Sequence, residues 1–249
     1  MPGIGLGIGG AMIAAIVTVA GAGPLAAQSA TGRGGNTLSG VYAMIPEGED
    51  LTAEEIAANA DKTIIIHFMA DVSYWSGLQL VIMVQDYYRD GYRKFVMPIQ
   101  TAGGTVASAM YAYETLSRMP IEFSTVAMGD VDSSGIMLYC LGQKRYASPA
   151  ATFLFHPMSG TVNSNRRGQE AAERQIENLN VWTDTVNKDC FGEIPESWDL
   201  ERQDYRVLAK EASEVGLVNA GEDYFAAIGP IGGVSYVYPI FFPPQRTAR

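Results

Sequence analysis

Apolar positions along this chain follow two rhythms: short β-branched runs, and longer stretches in which apolar residues recur every three or four. Thr63-Ile-Ile-Ile-His-Phe68 is a continuous run and predicts a buried strand of a mostly parallel sheet. Trp75, Leu78 and Ile82 then lie in a helix-length segment broken at Asp90-Gly91, and Lys94-Phe-Val-Met-Pro-Ile99 is the next strand. Strand, helix and strand in this order predict a right-handed crossover. The design repeats. Val106, Ala109, Met110, Tyr113 and Leu116 give the next helix an apolar face that stops before Pro120, and residues 123–128 form a second apolar strand. An apolar run of helical character follows at 136–141, ended by Gly142, with short strands at 144–147 and 152–156.

The longest helical segment spans residues 167–191, with Ile176, Leu179, Trp182 or Thr183, Val186 and Cys190 on one stripe. It follows two units that already form a core, so a second copy of the chain is expected to cover that stripe. Residues 205–207 are short and apolar, 208–215 form a brief helix capped by Gly216, and Leu217-Val218 read as a last strand end. Upstream, residues 51–60 predict a helix starting near Thr52, and residues 41–45 an edge strand. The segment from Tyr224 is rich in proline, glycine and aromatic residues, which exclude a regular helix and predict packing on the domain or a neighbour.

Residues 1–32 differ from the rest because they carry no charge, the first charged residue being Arg33. Three readings stay open: a secretory signal, a membrane-spanning anchor, or a leader that is never exported. The chain therefore divides into a leader at 1–32, a linker and N-terminal segment at 33–59, a catalytic-type domain at 60–223 and an aromatic tail at 224–249. The compartment is periplasmic, secreted or membrane-associated if the leader is a signal, and cytoplasmic otherwise.

Composition narrows the function classes. With 17 Lys and Arg against 27 Asp and Glu, the formal charge of −10 argues against nucleic acid as a partner. Two cysteines in 249 residues do not make a disulfide framework, and two separate buried thiols are the default. Neither the two histidines nor the cysteines have zinc-ligand spacing, so no cofactor or metal is implied.

The candidate chemistry lies at strand ends. Ser133 and Ser134 stand at a strand-to-helix junction, where free amides and the helix dipole favour developing negative charge. Serine is also an ordinary helix cap. Gly103-Gly104 follow a strand directly and can expose successive N–H groups to an oxyanion, or simply make a tight turn. His156 ends a strand at Pro157, a position suited to reaching a site. His67, inside a β-branched run, reads as a packed core residue.

Together these elements resemble the Clp protease proteolytic subunit family, ClpP-like serine peptidases within the wider crotonase-like α/β fold of repeated β-α-β units with a projecting long helix. The family's spacing of glycine, three residues, serine, one residue and glycine appears as Gly129-Asp-Val-Asp-Ser133-Ser-Gly135, which selects Ser133 as nucleophile. After Gln143-Lys-Arg-Tyr-Ala-Ser-Pro149 the family's base falls on His156. Ahead of Leu208-Ala-Lys-Glu-Ala-Ser-Glu-Val-Gly-Leu-Val218 its carboxylate falls on Asp204. The oxyanion glycines match Gly103 and Gly104, with Ser134 supplying a second amide. The resemblance implies a serine endopeptidase acting on peptides or unfolded proteins, homo-oligomeric rings, and an ATP-driven unfoldase if the chain is cytoplasmic.

Two departures stand against this. Thr101-Ala102 replace the usual serine-proline before the glycines, and Asp130 and Asp132 put carboxylates where the family has uncharged residues. A carboxylate buried there would oppose the oxyanion. A catalytically inactive assembly subunit, an acyl-CoA-binding enzyme of the same fold and, more remotely, a Ser-Lys membrane protease are the alternatives.

Overall fold

The computed structural model describes residues 30–31, 37–38, 51–156, 166–192, 195, 198, 204–221 and 228–237. Expectations for residues 1–29, for residues 41–45 and for the last twelve positions lie outside them. The chain divides into two compact units, Met1–Glu49 and Asp50–Arg249. In the first, β1 (Ala30–Thr31) pairs antiparallel with β2 (Thr37–Leu38).

The second unit begins with α1 (Ala53–Asn59), started by a reciprocal pair in which Thr52 Oγ1 accepts the Glu55 N–H and the Glu55 carboxylate accepts the Thr52 N–H. Then come β3 (Thr63–Phe68), α2 (Tyr74–Arg89), β4 (Lys94–Thr101), α3 (Val106–Leu116) and β5 (Glu122–Asp132). These are followed by α4 (Gly135–Tyr139), β6 (Lys144–Ala147), β7 (Thr152–Phe155) and α5 (Arg166–Phe191). The unit closes with β8 (Tyr205–Leu208), α6 (Ala209–Glu214) and β9 (Ile231–Val237).

Among the described residues β3 to β9 make one sheet in the order β8-β7-β5-β4-β3-β9, with β6 also on β5. Every pairing is parallel except β7 with β8. The eleven-residue β5 is long enough for two partners on one edge, β6 along 124–127 and β7 along 130–132. One apolar cluster joins Ile64, Ile66 and Phe68 of β3, Phe95, Met97 and Ile99 of β4, and Ala127 and Val131 of β5 to Leu80, Val84, Ala109 and Ala112 of the two crossover helices. Burying side chains the size of Ile66 or Phe68 stabilises by about 1.5–3 kcal/mol each. The strands therefore end together on one rim, where open α/β sheets present their sites.

Five expectations are revised. The strand predicted at 123–128 continues to Asp132, so the serine follows the strand directly. Cys140 and Cys190 form a disulfide, with Cα atoms 5.5 Å apart, tying the end of α4 to the last turn of α5. Only tertiary packing brings together two cysteines 50 residues apart, so spacing alone held no sign of it. The α5 stripe is divided: Val186 and Cys190 are buried in their own domain and Trp182 donates to Glu114 of α3, while Ile176 and Leu179 stay half-buried and Val181 is 63% exposed. His67 is half-buried and stacked on Tyr236 rather than enclosed in the core, and desolvation lowers its pKa. Finally, Leu217 and Val218 are buried without forming a strand; the last described strand is β9, from the proline-, glycine- and aromatic-rich tail, which packs on its own domain beside β3.

Arg145 secures the base of this arrangement. Its guanidinium is buried and donates to Gly142 O after α4, Cys190 O in α5, and Gly216 O and Leu217 O after α6. Three helix C-termini, each with unpaired carbonyls and a negative dipole end, share one cation.

Candidate active site

Two neighbouring strand-to-helix turns meet at the rim. After β4, Gly103 and Gly104 adopt φ +81° and +141°, conformations that L side chains rarely take. The turn is pinned from both sides: Gly103 O accepts the Val72 N–H at 2.7 Å, and Val72 O accepts the Thr105 N–H at 2.7 Å. Gly103 N–H donates to Thr101 Oγ1 at 3.1 Å. Among the described residues these bonds leave the Gly104 N–H uncommitted.

After β5, Ser133 takes φ +54°, a left-handed conformation shared by no other described non-glycine residue. Its N–H donates to Leu154 O of β7 at 2.8 Å, holding the turn against the sheet. Left-handed backbone costs a non-glycine residue about 1–2 kcal/mol and persists where surrounding structure imposes it. The two turns touch. A methyl group on Gly103 would stand 2.6 Å from Ser133 Cβ, 2.5 Å from Asp132 O and 3.2 Å from the Ser134 nitrogen. The spacing between turn and serine thus depends on glycine. Ser133 is partly exposed, whereas Ser134 is 2% exposed and its Oγ is buried with no hydrogen-bond partner among the described residues.

His156 and Asp204 reach this rim through strand register. β7 and β8 pair as Thr152↔Leu208, Phe153↔Val207, Leu154↔Arg206 and Phe155↔Tyr205. His156 follows Phe155 in the chain and Asp204 precedes Tyr205, so both flank the last pair of this ladder. In the parallel pairing Asp132 matches Leu154, and Ser133 follows Asp132 at the same end of the sheet. The ends of β5 and β7 and the start of β8 thus lie side by side, next to the glycine turn that touches Ser133. Stacking of Trp198 on Tyr205 at 5.0 Å and its contact with Phe155 at 5.2 Å hold the β7–β8 end from the buried side.

Two further residues complete the site: Thr101, met in the sequence only as a departure, and Arg206, which sequence reasoning passed over. Thr101, at the position of one departure, accepts from Gly103 N–H and lays its methyl group against Gly135; a Cβ there would meet it at 2.3 Å. Arg206 answers the other. Its guanidinium grips Asp132 with Nη1–Oδ1 3.1 Å and Nη2–Oδ2 2.9 Å, and reaches Asp130 at 3.4 Å and Thr152 Oγ1 at 2.6 Å. The two carboxylates beside the serine are thus paired, and the hydrogen bond donated to Asp132 raises the Arg206 pKa. The charges at 130, 132 and 206 are visible in the chain, but their meeting depends on an antiparallel β7–β8 pair.

Comparison with known proteins bears directly on this geometry. A family model described as Clp protease matches residues 52–220. The ATP-dependent Clp protease proteolytic subunit 3 of Streptomyces coelicolor is 30% identical over 158 residues, 61% of this chain and 69% of that relative. The solved structure of the ClpP1 N165D mutant from Listeria monocytogenes aligns with a TM-score of 0.56 at 18% identity, over 66% of this chain and 92% of that one, a likeness of fold. With its mixed α/β sheet, its paired strand-end turns and a family match across more than half its length, the chain belongs to the Clp protease family.

Proposed function

We propose that this protein is a serine endopeptidase that cleaves peptide bonds through an acyl-enzyme on Ser133. The observation that carries the reading is the left-handed Ser133 turn in contact with the Gly103-Gly104 turn. In the proposed mechanism His156 takes the Ser133 proton as Oγ attacks the carbonyl, then returns it to the leaving amine. Asp204 fixes the imidazole tautomer from the opposite strand. The N–H groups of Gly104 and Ser134 receive the tetrahedral oxygen, and each such donor contributes about 10²–10³ in rate. Arg206 pairing removes the main electrostatic objection to an anion at this place. Substitution His156→Ala should lower kcat for a fluorogenic peptide by about 10³-fold or more with the fold intact. A folded variant with the wild-type rate would refute the mechanism. Homo-oligomeric rings belong to the same reading, with light scattering on the full chain as their direct check.

The disulfide bears on the partner. Such bonds persist in oxidising compartments and are rare where thiols are kept reduced. Joined with the charge-free apolar leader, the Cys140–Cys190 bond favours a peptidase that works outside the cytoplasm, where no ATP-driven unfoldase can serve it. Denatured protein prepared without reductant should offer no thiol to maleimide until it is reduced. Two free thiols in protein from its native compartment would reverse this assignment.

A further inference from the structure

The Asp132–Arg206 pair links strands that are not neighbours. Asp132 is the last residue of β5, immediately before Ser133; Arg206 lies on β8, two residues after Asp204. Between them runs β7, which delivers His156, and Leu154 occupies the middle of the row Asp132–Leu154–Arg206. The guanidinium therefore spans β7 and binds together the two strands that carry the candidate nucleophile and the candidate carboxylate.

We propose that Arg206 and Asp132 are positioning residues: a brace across β7 that holds the four-residue edge strand β8, and with it Asp204, in register with His156 and Ser133. This rests on the peptidase reading above. Three features separate the brace from an ordinary surface ion pair, which contributes little. The contact is bidentate, the geometry that gives an arginine–carboxylate pair directional strength. The Asp132 side chain is 13% exposed, so water screens it weakly. Thr152 Oγ1 joins the network from the strand being crossed, donating to Asp130 Oδ1 at 2.6 Å and meeting Arg206 Nη1 at 2.6 Å. Among the described residues β8 pairs with no strand on its other side, so its register relies on β7, the Trp198 stack and this brace.

The brace has a kinetic signature that a purely structural pair lacks. A pair that only supported folding would leave turnover per folded molecule unchanged, whereas loosening Asp204 misplaces a catalytic group and lowers kcat in the folded enzyme.

The test compares wild type, Asp132→Asn, Arg206→Met and the exchange Asp132→Arg with Arg206→Asp, all as full chains assayed on a fluorogenic peptide across pH. Both single variants should lose about 10–100-fold in kcat with little change in KM, because small misplacements of catalytic groups cost that much. The exchange should recover the rate of the folded enzyme. Hydrogen exchange gives a readout independent of catalysis: the β8 amides should lose protection in the single variants and regain it in the exchange. Single variants with wild-type kcat and β8 protection overturn the brace. So does a loss of kcat that the exchange does not recover. If wild type shows no hydrolysis dependent on His156, the peptidase reading falls and the catalytic role of the brace with it, whatever the exchange data show.

Discussion

The turns after β4 and β5 solve one steric problem with different residues. Both leave a parallel strand at the same rim, both lead into a helix, and both use positive φ. The first spends two glycines, for which such backbone is ordinary. The second has a serine at φ +54°, although Gly135 two positions later shows that glycine is available to this segment. In the glycine turn the backbone is the working part, since a side chain at Gly104 would run into Val72 O at 2.3 Å. In the serine turn the hydroxyl is the working part, and the fold tolerates local strain to keep it there.

Substitution can break the comparison at either turn. The largest effect is expected at the first. Gly104→Ala adds a methyl at φ +141° against a backbone carbonyl that already accepts the Thr105 N–H. It should lower stability by about 2 kcal/mol or more and, in the folded fraction, cut acylation about 10²-fold by displacing the Gly104 N–H. Chemical denaturation and single-turnover kinetics read the two losses separately. Retention of both would show that this turn has no part in catalysis.

The smaller effect is at the second turn, and its sign is informative. At ordinary backbone angles glycine is less stable than alanine by about 0.5–1 kcal/mol. At a left-handed position the order reverses. Ser133→Gly should therefore be more stable than Ser133→Ala by about 1 kcal/mol, although both lose acylation. An alanine variant that is the more stable of the two would mean that the turn relaxes in solution.

Much of this was legible in the chain, for identifiable reasons. β3 was bounded correctly because six β-branched or aromatic residues in a row admit little else, and α2 and α3 because Asp90-Gly91 and Pro120 stop them. Tertiary pairing carried the rest. β5 overran its predicted end because Asp130 and Asp132 look like loop residues until β7 and Arg206 supply their partners. β9 was hidden by its two glycines and by a segment whose prolines suggested irregular structure. The α5 stripe looked like a single surface, yet its last turns are the part stapled by Cys140–Cys190 and Arg145. Position along a helix decided burial there, and periodicity does not report position. Of the candidate site, the glycine and serine turns were readable as motifs, while the antiparallel β7–β8 pairing that adjoins His156 and Asp204 was not.

The most direct test of the central claim is the reaction of folded, full-length protein with a fluorophosphonate, followed by peptide mapping of the adduct. The account predicts one phosphonylated residue, Ser133, with labelling lost in Ser133→Gly and strongly slowed in His156→Ala. Label on Ser134, or none on protein that still hydrolyses peptides, would contradict it.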